Sequence, residues 1–163
     1  MKKILIIMVS IALAGCNNLD GFEENVFVPV TPDDDVVAFF EEYLPVTYGY
    51  HFFDQDDRKD KCVVINSVAD FKKRFSGSPT MLPAIDFKSH TLIIGHFETA
   101  MGGACITEQE IVVKSGKAVL NVRWGYPSGV LLTGAFTTQY YWGIYPKIKS
   151  KSININVISL GYL

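Results

Sequence analysis

Much of what this sequence lacks narrows what it can do. Its three histidines, His51, His90 and His96, form no H-E-x-x-H, and none is matched by a serine in G-x-S-x-G. No glycine loop of the Walker type and no G-x-G-x-x-G fingerprint is present, so nucleotide and dinucleotide cofactors are not expected. Cysteine is scarce. The three cysteines include no C-x-x-C pair, which argues against a metal site. A basic excess is missing too, with 15 Lys and Arg against 17 Asp and Glu. Nucleic acid, which wants a basic stripe, is therefore not an expected partner. Only one long apolar run occurs, Ile4 to Ala14, interrupted by Ser10. It falls short of the roughly 20 residues that cross a bilayer.

That run is informative in its own right. Lys2 and Lys3 precede it, and it ends at Leu13-Ala14-Gly15-Cys16. A basic start, a short apolar stretch and small residues before the cut describe a secretory signal peptide. The residues Leu13 to Cys16 resemble the bacterial lipoprotein box, L-[AS]-[GA]-C, at every position. The resemblance implies diacylglyceryl transfer to Cys16, cleavage before it and acylation of the new amine. Asn17, rather than aspartate, favours the outer membrane by analogy with enterobacterial sorting. The expected organisation is a signal peptide over 1–15, a flexible tether over 16–30 and one β-rich globular domain over 31–163. Without Lys2 and Lys3 the balance becomes 13 basic against 17 acidic residues, a net charge of −4, which keeps such a domain soluble.

With Cys16 assigned to lipid, Cys62 and Cys105 remain as an even pair in an exported protein. An oxidising compartment makes a disulfide between them the expectation, with two buried free thiols as the rival.

Two short helices are expected early. Thr31-Pro32 before Asp33-Asp34-Asp35 reads as a helix start, with Val36, Phe39, Phe40 and Tyr43 at helical spacing and Pro45 as the stop. Val46 to Phe53 reads as a strand and Asp54 to Lys61 as a charged turn. Arg58 and Lys59 occupy positions where a calcium loop needs a ligand and a glycine. Cys62 to Ile65 is a strand. Ser67 with Asp70 makes a capping box for a helix burying Val68, Phe71 and Phe75, with Gly77 as its stop. Strands follow. Thr91 to Phe97 is almost continuously apolar, hence central. Met101-Gly102-Gly103 is a turn or bulge. Ile106–Val113 and Lys117–Trp124 flank a Ser115-Gly116 hairpin turn, with Ala118, Leu120, Val122 and Trp124 on one face. Tyr126 to Gly134 is a loop. Phe136–Ile148 and Ser152–Leu160 are strands, the latter with Ile153, Ile155 and Val157 against Asn154 and Asn156. The fold class expected is α+β: a mainly antiparallel β sandwich or partial barrel with two short helices in the N-terminal half.

Candidate chemistry is thin. Glu108 and Glu110 share a strand face, as hydrolytic carboxylate pairs do, but no cleft accompanies them. The aromatics carry more weight: Tyr48, Tyr50 and Phe52 on one strand face, Tyr140 and Trp142 on another, Tyr141 and Tyr145 opposite. Most are core, since aromatic rings bury large areas; those that are not would suit a protein hot spot or stack on sugars.

Leu82-Pro83-Ala84-Ile85-Asp86-Phe87-Lys88, the strand TLIIGHF, Gly102-Gly103, the hairpin, and the strand YYWGIYPKI together resemble the PrcB-type lipoprotein domain. VVINSVADFKKRF upstream fits the same pattern, so the resemblance covers Cys62 to Lys149. Ala104 and Cys105 stand where that family has an aromatic residue after G-G. The resemblance implies a non-enzymatic β-rich module that binds a protein, in the known case a surface protease.

The function expected is that of a non-enzymatic binding module, lipid-anchored in the cell envelope, with a protein partner first and carbohydrate as the alternative. The loop WGYPSGVLLTG supplies the candidate surface. Tyr126 and Leu131 are expected to be partly exposed there and to meet the partner.

Overall fold

The computed structural model describes residues 24–44, 52–53, 61–77, 82–149 and 152–163. Cys16, the leader, the strand expected over 46–51 and the charged turn at 54–60 lie outside the described residues. The order of elements is β1 (Glu24–Phe27), α1 (Asp34–Tyr43), β2 (Lys61–Ile65), α2 (Val68–Arg74), β3 (His90–Thr99), β4 (Cys105–Lys114), β5 (Lys117–Tyr126), β6 (Thr137–Pro146) and β7 (Ile153–Tyr162). One sheet runs β1-β4-β5-β7 and the other β2-β3-β6. All pairs are antiparallel except β5 with β7. The result is the α+β sandwich expected, with the sheets facing each other and the helices covering one outer face.

This three-layer arrangement explains the apolar run in β3. Its Leu92 and Ile94 pack toward the helices with Phe40, Phe71 and Ile144. Its Ile93 and Phe97 pack between the sheets with Ile111, Leu120, Tyr141 and Tyr145. A strand covered on both faces cannot alternate with polar residues. β5 has one covered face, and it alternates: Ala118, Leu120 and Val122 are buried, while Asn121 and Arg123 point out. On β6, Trp142 stacks on Phe40 at 4.2 Å beneath α1, whereas Tyr141 and Tyr145 enter the inter-sheet core. These β6 aromatics are thus packing residues.

Several local expectations change. Helix α1 starts at Asp34 with Asp33 as its uncapped N-cap, so Thr31 and Pro32 precede the helix. The Ser67 hydroxyl does cap α2, accepting from the Asp70 amide at 3.0 Å, but Val68 is exposed and the helix ends at Arg74, before Gly77. Phe52 and Phe53 lie in a turn, not a strand, and both are buried. The tether expected over 16–30 is shortened from its far end. Residues 24–27 pair with β4, and the Val30 amide donates to the Ile144 carbonyl at 2.7 Å, carrying the chain from one sheet to the other.

In this structure Cys62 and Cys105, expected as a disulfide, are both free thiols. Distance along the sheet is the reason. The Cys62 thiol donates to the Ile153 carbonyl, and Ile153 pairs with Ala118. Cys105 pairs with Gly125. Ala118 and Gly125 are seven residues apart on β5, about 23 Å at strand rise. A disulfide holds Cα atoms within about 7 Å.

Register also gives the sandwich two poles. At one, Lys114 faces Lys117 across the hairpin turn, where Ser115 and Gly116 both take positive φ, and Glu24 of β1 lies beside Lys114. At the other, Thr99 meets Thr137, Cys105 meets Gly125 and Tyr126 meets Tyr162. The length of β4 separates them, about 30 Å.

Candidate interaction surface

The loop from Pro127 to Phe136 caps the pole away from the hairpin turn, and its backbone is held from several sides. Val130 N–H closes a turn onto the Pro127 carbonyl at 3.3 Å, with Gly129 at positive φ. Gly102 N–H donates to the Thr133 carbonyl at 3.1 Å. The buried Thr99 hydroxyl bonds the carbonyls of Met101 (2.9 Å) and Thr137 (3.1 Å), and the Ser128 hydroxyl donates to the Leu163 carbonyl. Gly102 and Gly103 form the bed on which this loop lies. A Cβ on Gly102 would come within 2.3 Å of the Thr133 hydroxyl. One on Gly103, whose φ is +91°, would meet Val130 at 2.9 Å. The G-G pair expected as a turn or bulge is thus also a seat for the loop.

The side chains on this fixed backbone are apolar and in water. Leu131 is 88% exposed and Phe136 81%, with Val130 partly exposed beside them. Leu163 N–H donates to the Tyr126 carbonyl at 3.0 Å, which draws the end of β7 to the same pole and adds the exposed Tyr162 and Leu163. A series of rings leads there from the core: Phe97 to Trp124 (5.7 Å), Trp124 to Tyr126 (5.4 Å) and Tyr126 to Tyr162 (5.8 Å). Leu131 is therefore exposed as expected. Tyr126 is not: it is 6% exposed, because it is the link in this series between Trp124 and the exposed Tyr162. Phe136 and Tyr162 were missed. The signal for Phe136 was its place among small and polar residues, Gly134-Ala135 before it and Thr137-Thr138 after it.

The other candidate groups are tied into structure. Glu108 and Glu110 do share a face, but the Arg123 guanidinium holds both, at 3.1 and 2.9 Å, so neither is a free acid or base. Asn121 donates to Glu110 and Asn156 to Asn121, extending a polar ladder over this face. Burial pushes the Cys62 thiol up to about 11, which leaves it unreactive as a nucleophile near neutral pH. His96 is buried between Phe53 and Tyr140. Asp86, Ser89 and His90 form a cluster: the Ser89 hydroxyl donates to Asp86 and lies 3.0 Å from His90 Nδ1. That hydroxyl and the Lys88 amide hold the Asp86 carboxyl below its usual range. The group is a turn, and it is braced by Lys147, whose ammonium donates to the carbonyls of Phe87 (2.8 Å), Asn66 (3.1 Å) and His90 (3.4 Å). Among the described residues no three His, Cys, Asp or Glu side chains group as a metal ion would need, and no helix is long and apolar enough to cross a membrane.

Compared with protein-family models, with curated proteins and with solved structures, the chain finds no match.

Proposed function

We propose that this chain is a lipoprotein of the cell envelope, anchored at the outer membrane through Cys16, whose domain binds a protein partner and catalyses no reaction. The observation that carries the binding reading is the pairing of a fixed backbone with exposed apolar side chains at Leu131 and Phe136. Ordering costs on binding are smaller when the loop is already held. Apolar anchors with a polar surround are what protein interfaces use; here Ser128, Thr133 and Thr138 supply polar groups nearby. The sugar-binding alternative has less support. It needs rings lining a groove, and Tyr141, Tyr145 and Trp142 are taken up by packing. The resemblance of Cys62–Lys149 to the PrcB-type domain makes an envelope protease the first partner to try.

The test is cross-linking of intact cells carrying either the native chain or a Leu131→Ser/Phe136→Ser variant. A specific cross-linked protein, lost in the variant while its melting temperature holds, supports the reading. Equal cross-linking by both chains sinks this surface. Binding to a glycan array that the variant abolishes would move the function to carbohydrate.

A further inference from the structure

The opposite pole has a different chemistry, and β1 places it nearest the anchor. Glu24 pairs with Lys114 in the ladder. Glu24 comes eight positions after Cys16, a reach of at most about 29 Å. The pole that follows is basic. Lys114 and Lys117 stand directly opposite one another across the hairpin, an arrangement that like charges disfavour. Glu24 offsets Lys114 at 3.4 Å. Next to the turn, Lys147 and Lys149 line a cavity of about 420 Å³ with Asn25, Phe27, Val113, Gly116 and Ile148. The Lys147 ammonium is held by the carbonyls of Asn66, Phe87 and His90, which fixes it in place.

From this we propose that the hairpin pole is a docking face for the anionic phospholipid headgroups of the membrane that holds the Cys16 lipid. The proposal rests on the anchor reading for which membrane is met, and on the pole's own charge for the contact. Lys114, Lys117 and Lys149 meet headgroup phosphates. The cavity accepts a glycerol headgroup against Phe27, Val113 and Ile148. Headgroup attraction acts within about 10 Å of the surface, a distance the tether allows. Docked this way, the domain stands on its hairpin, and Leu131 and Phe136 face away from the bilayer by the length of β4. The lysines do not substitute for the lipid; they set orientation.

Partition of the acyl-free chain from residue 16 onward, carrying Cys16→Ser, into vesicles tests the face without the anchor. It is expected to sediment with vesicles containing phosphatidylglycerol and not with phosphatidylcholine alone, and to be released by salt. Each lysine replaced by glutamine weakens partition about fivefold, and the triple variant Lys114→Gln/Lys117→Gln/Lys149→Gln about a hundredfold, with an unchanged melting curve. A Lys72→Gln/Lys73→Gln variant on α2 is expected to bind like the parent. Equal partition into both vesicle types, no partition at all, or a triple variant that binds undiminished overturns the proposal. Metabolic lipid labelling of the native chain reads the anchor separately: labelled protein with no vesicle preference in its acyl-free form keeps the anchor and discards the face, and the reverse result keeps the face.

Discussion

Tyr126, the last residue of β5, and Leu131, on the loop that follows, lie five residues apart and should answer the same substitution in opposite ways. Tyr126 is 6% exposed and bridges Trp124 and Tyr162, and its carbonyl receives the Leu163 amide. Replacing it by serine removes a buried ring and leaves a gap between two others. Truncating a buried aromatic costs about 3–5 kcal/mol; the low end applies to a ring near a pole, so about 3 kcal/mol. In a domain of this size 1 kcal/mol moves the melting temperature by about 3 °C, giving a fall of about 9 °C. Leu131, 88% exposed, has almost no buried area to lose. Its serine variant should stay within about 0.5 kcal/mol of the parent, a shift of at most about 2 °C. Differential scanning calorimetry of the two single variants, with urea titration as a check, separates them. If Leu131→Ser destabilises as much as Tyr126→Ser, the loop folds onto the core in solution and the surface assigned to it is wrong.

Lys147→Met deletes the ammonium that joins the carbonyls of Phe87, Asn66 and His90. Bonds to a charged donor are worth about 1.5–3 kcal/mol each when buried, but this lysine is exposed and water replaces part of them, so a loss of about 2 kcal/mol in urea unfolding is expected. Cys62 gives a pH test: its thiol stays protonated up to about 11 in the fold, against a usual 9.0. The folded state therefore binds the proton longer, and stability must fall as pH rises from about 9 to 11. A Cys62→Ala variant should show a shallower fall over that window in pH-dependent urea titrations. Thiol titration of denatured, unreduced protein should find both Cys62 and Cys105 reactive; none would restore the bridge. Cys16→Ser should abolish palmitate labelling in cells and reduce membrane partition to a fraction that salt releases.

The parts of this fold that were legible in sequence are those set by one local cause. β5 alternates because one of its faces is covered, and β3 runs apolar because both are, so the order of apolar residues alone placed them. The Ser115-Gly116 turn and the Ser67 cap also follow from neighbouring residues. What was not legible depends on register between distant strands. Cys62 and Cys105 looked like partners, but the Cys62 thiol lies against Ile153, beside Ala118 at one end of β5, while Cys105 pairs with Gly125 near the other end. Nothing in the residues Glu24-Asn25-Val26-Phe27 distinguishes a tether from a short edge strand; only the pairing with Ile111–Lys114 does. Exposure within the 126–136 loop was equally a matter of neighbours. Tyr126 is covered by Tyr162 and Leu163, which come from the far end of the sequence. Phe136 has no such cover.

The residues on which the proposed resemblance rests show the same division between what holds the fold and what is left exposed. Asp86 is spent on its turn. Phe87 and Lys147, from the two ends of that pattern, meet through a carbonyl–ammonium bond, and Gly102 and Gly103 seat the loop. A sequence pattern made of such residues specifies a scaffold, and a scaffold can be shared by modules with different partners. Side chains that could choose a partner lie where the pattern is silent, at Leu131, Phe136 and Tyr162. On the proposed reading, exchanging Leu131 and Phe136 for other apolar residues should alter which protein is bound while leaving the domain's stability alone. Substitution of Gly103 should do the reverse: any side chain there meets a φ of +91° and the Val130 side chain, so the loop must shift, and stability and binding should fall together.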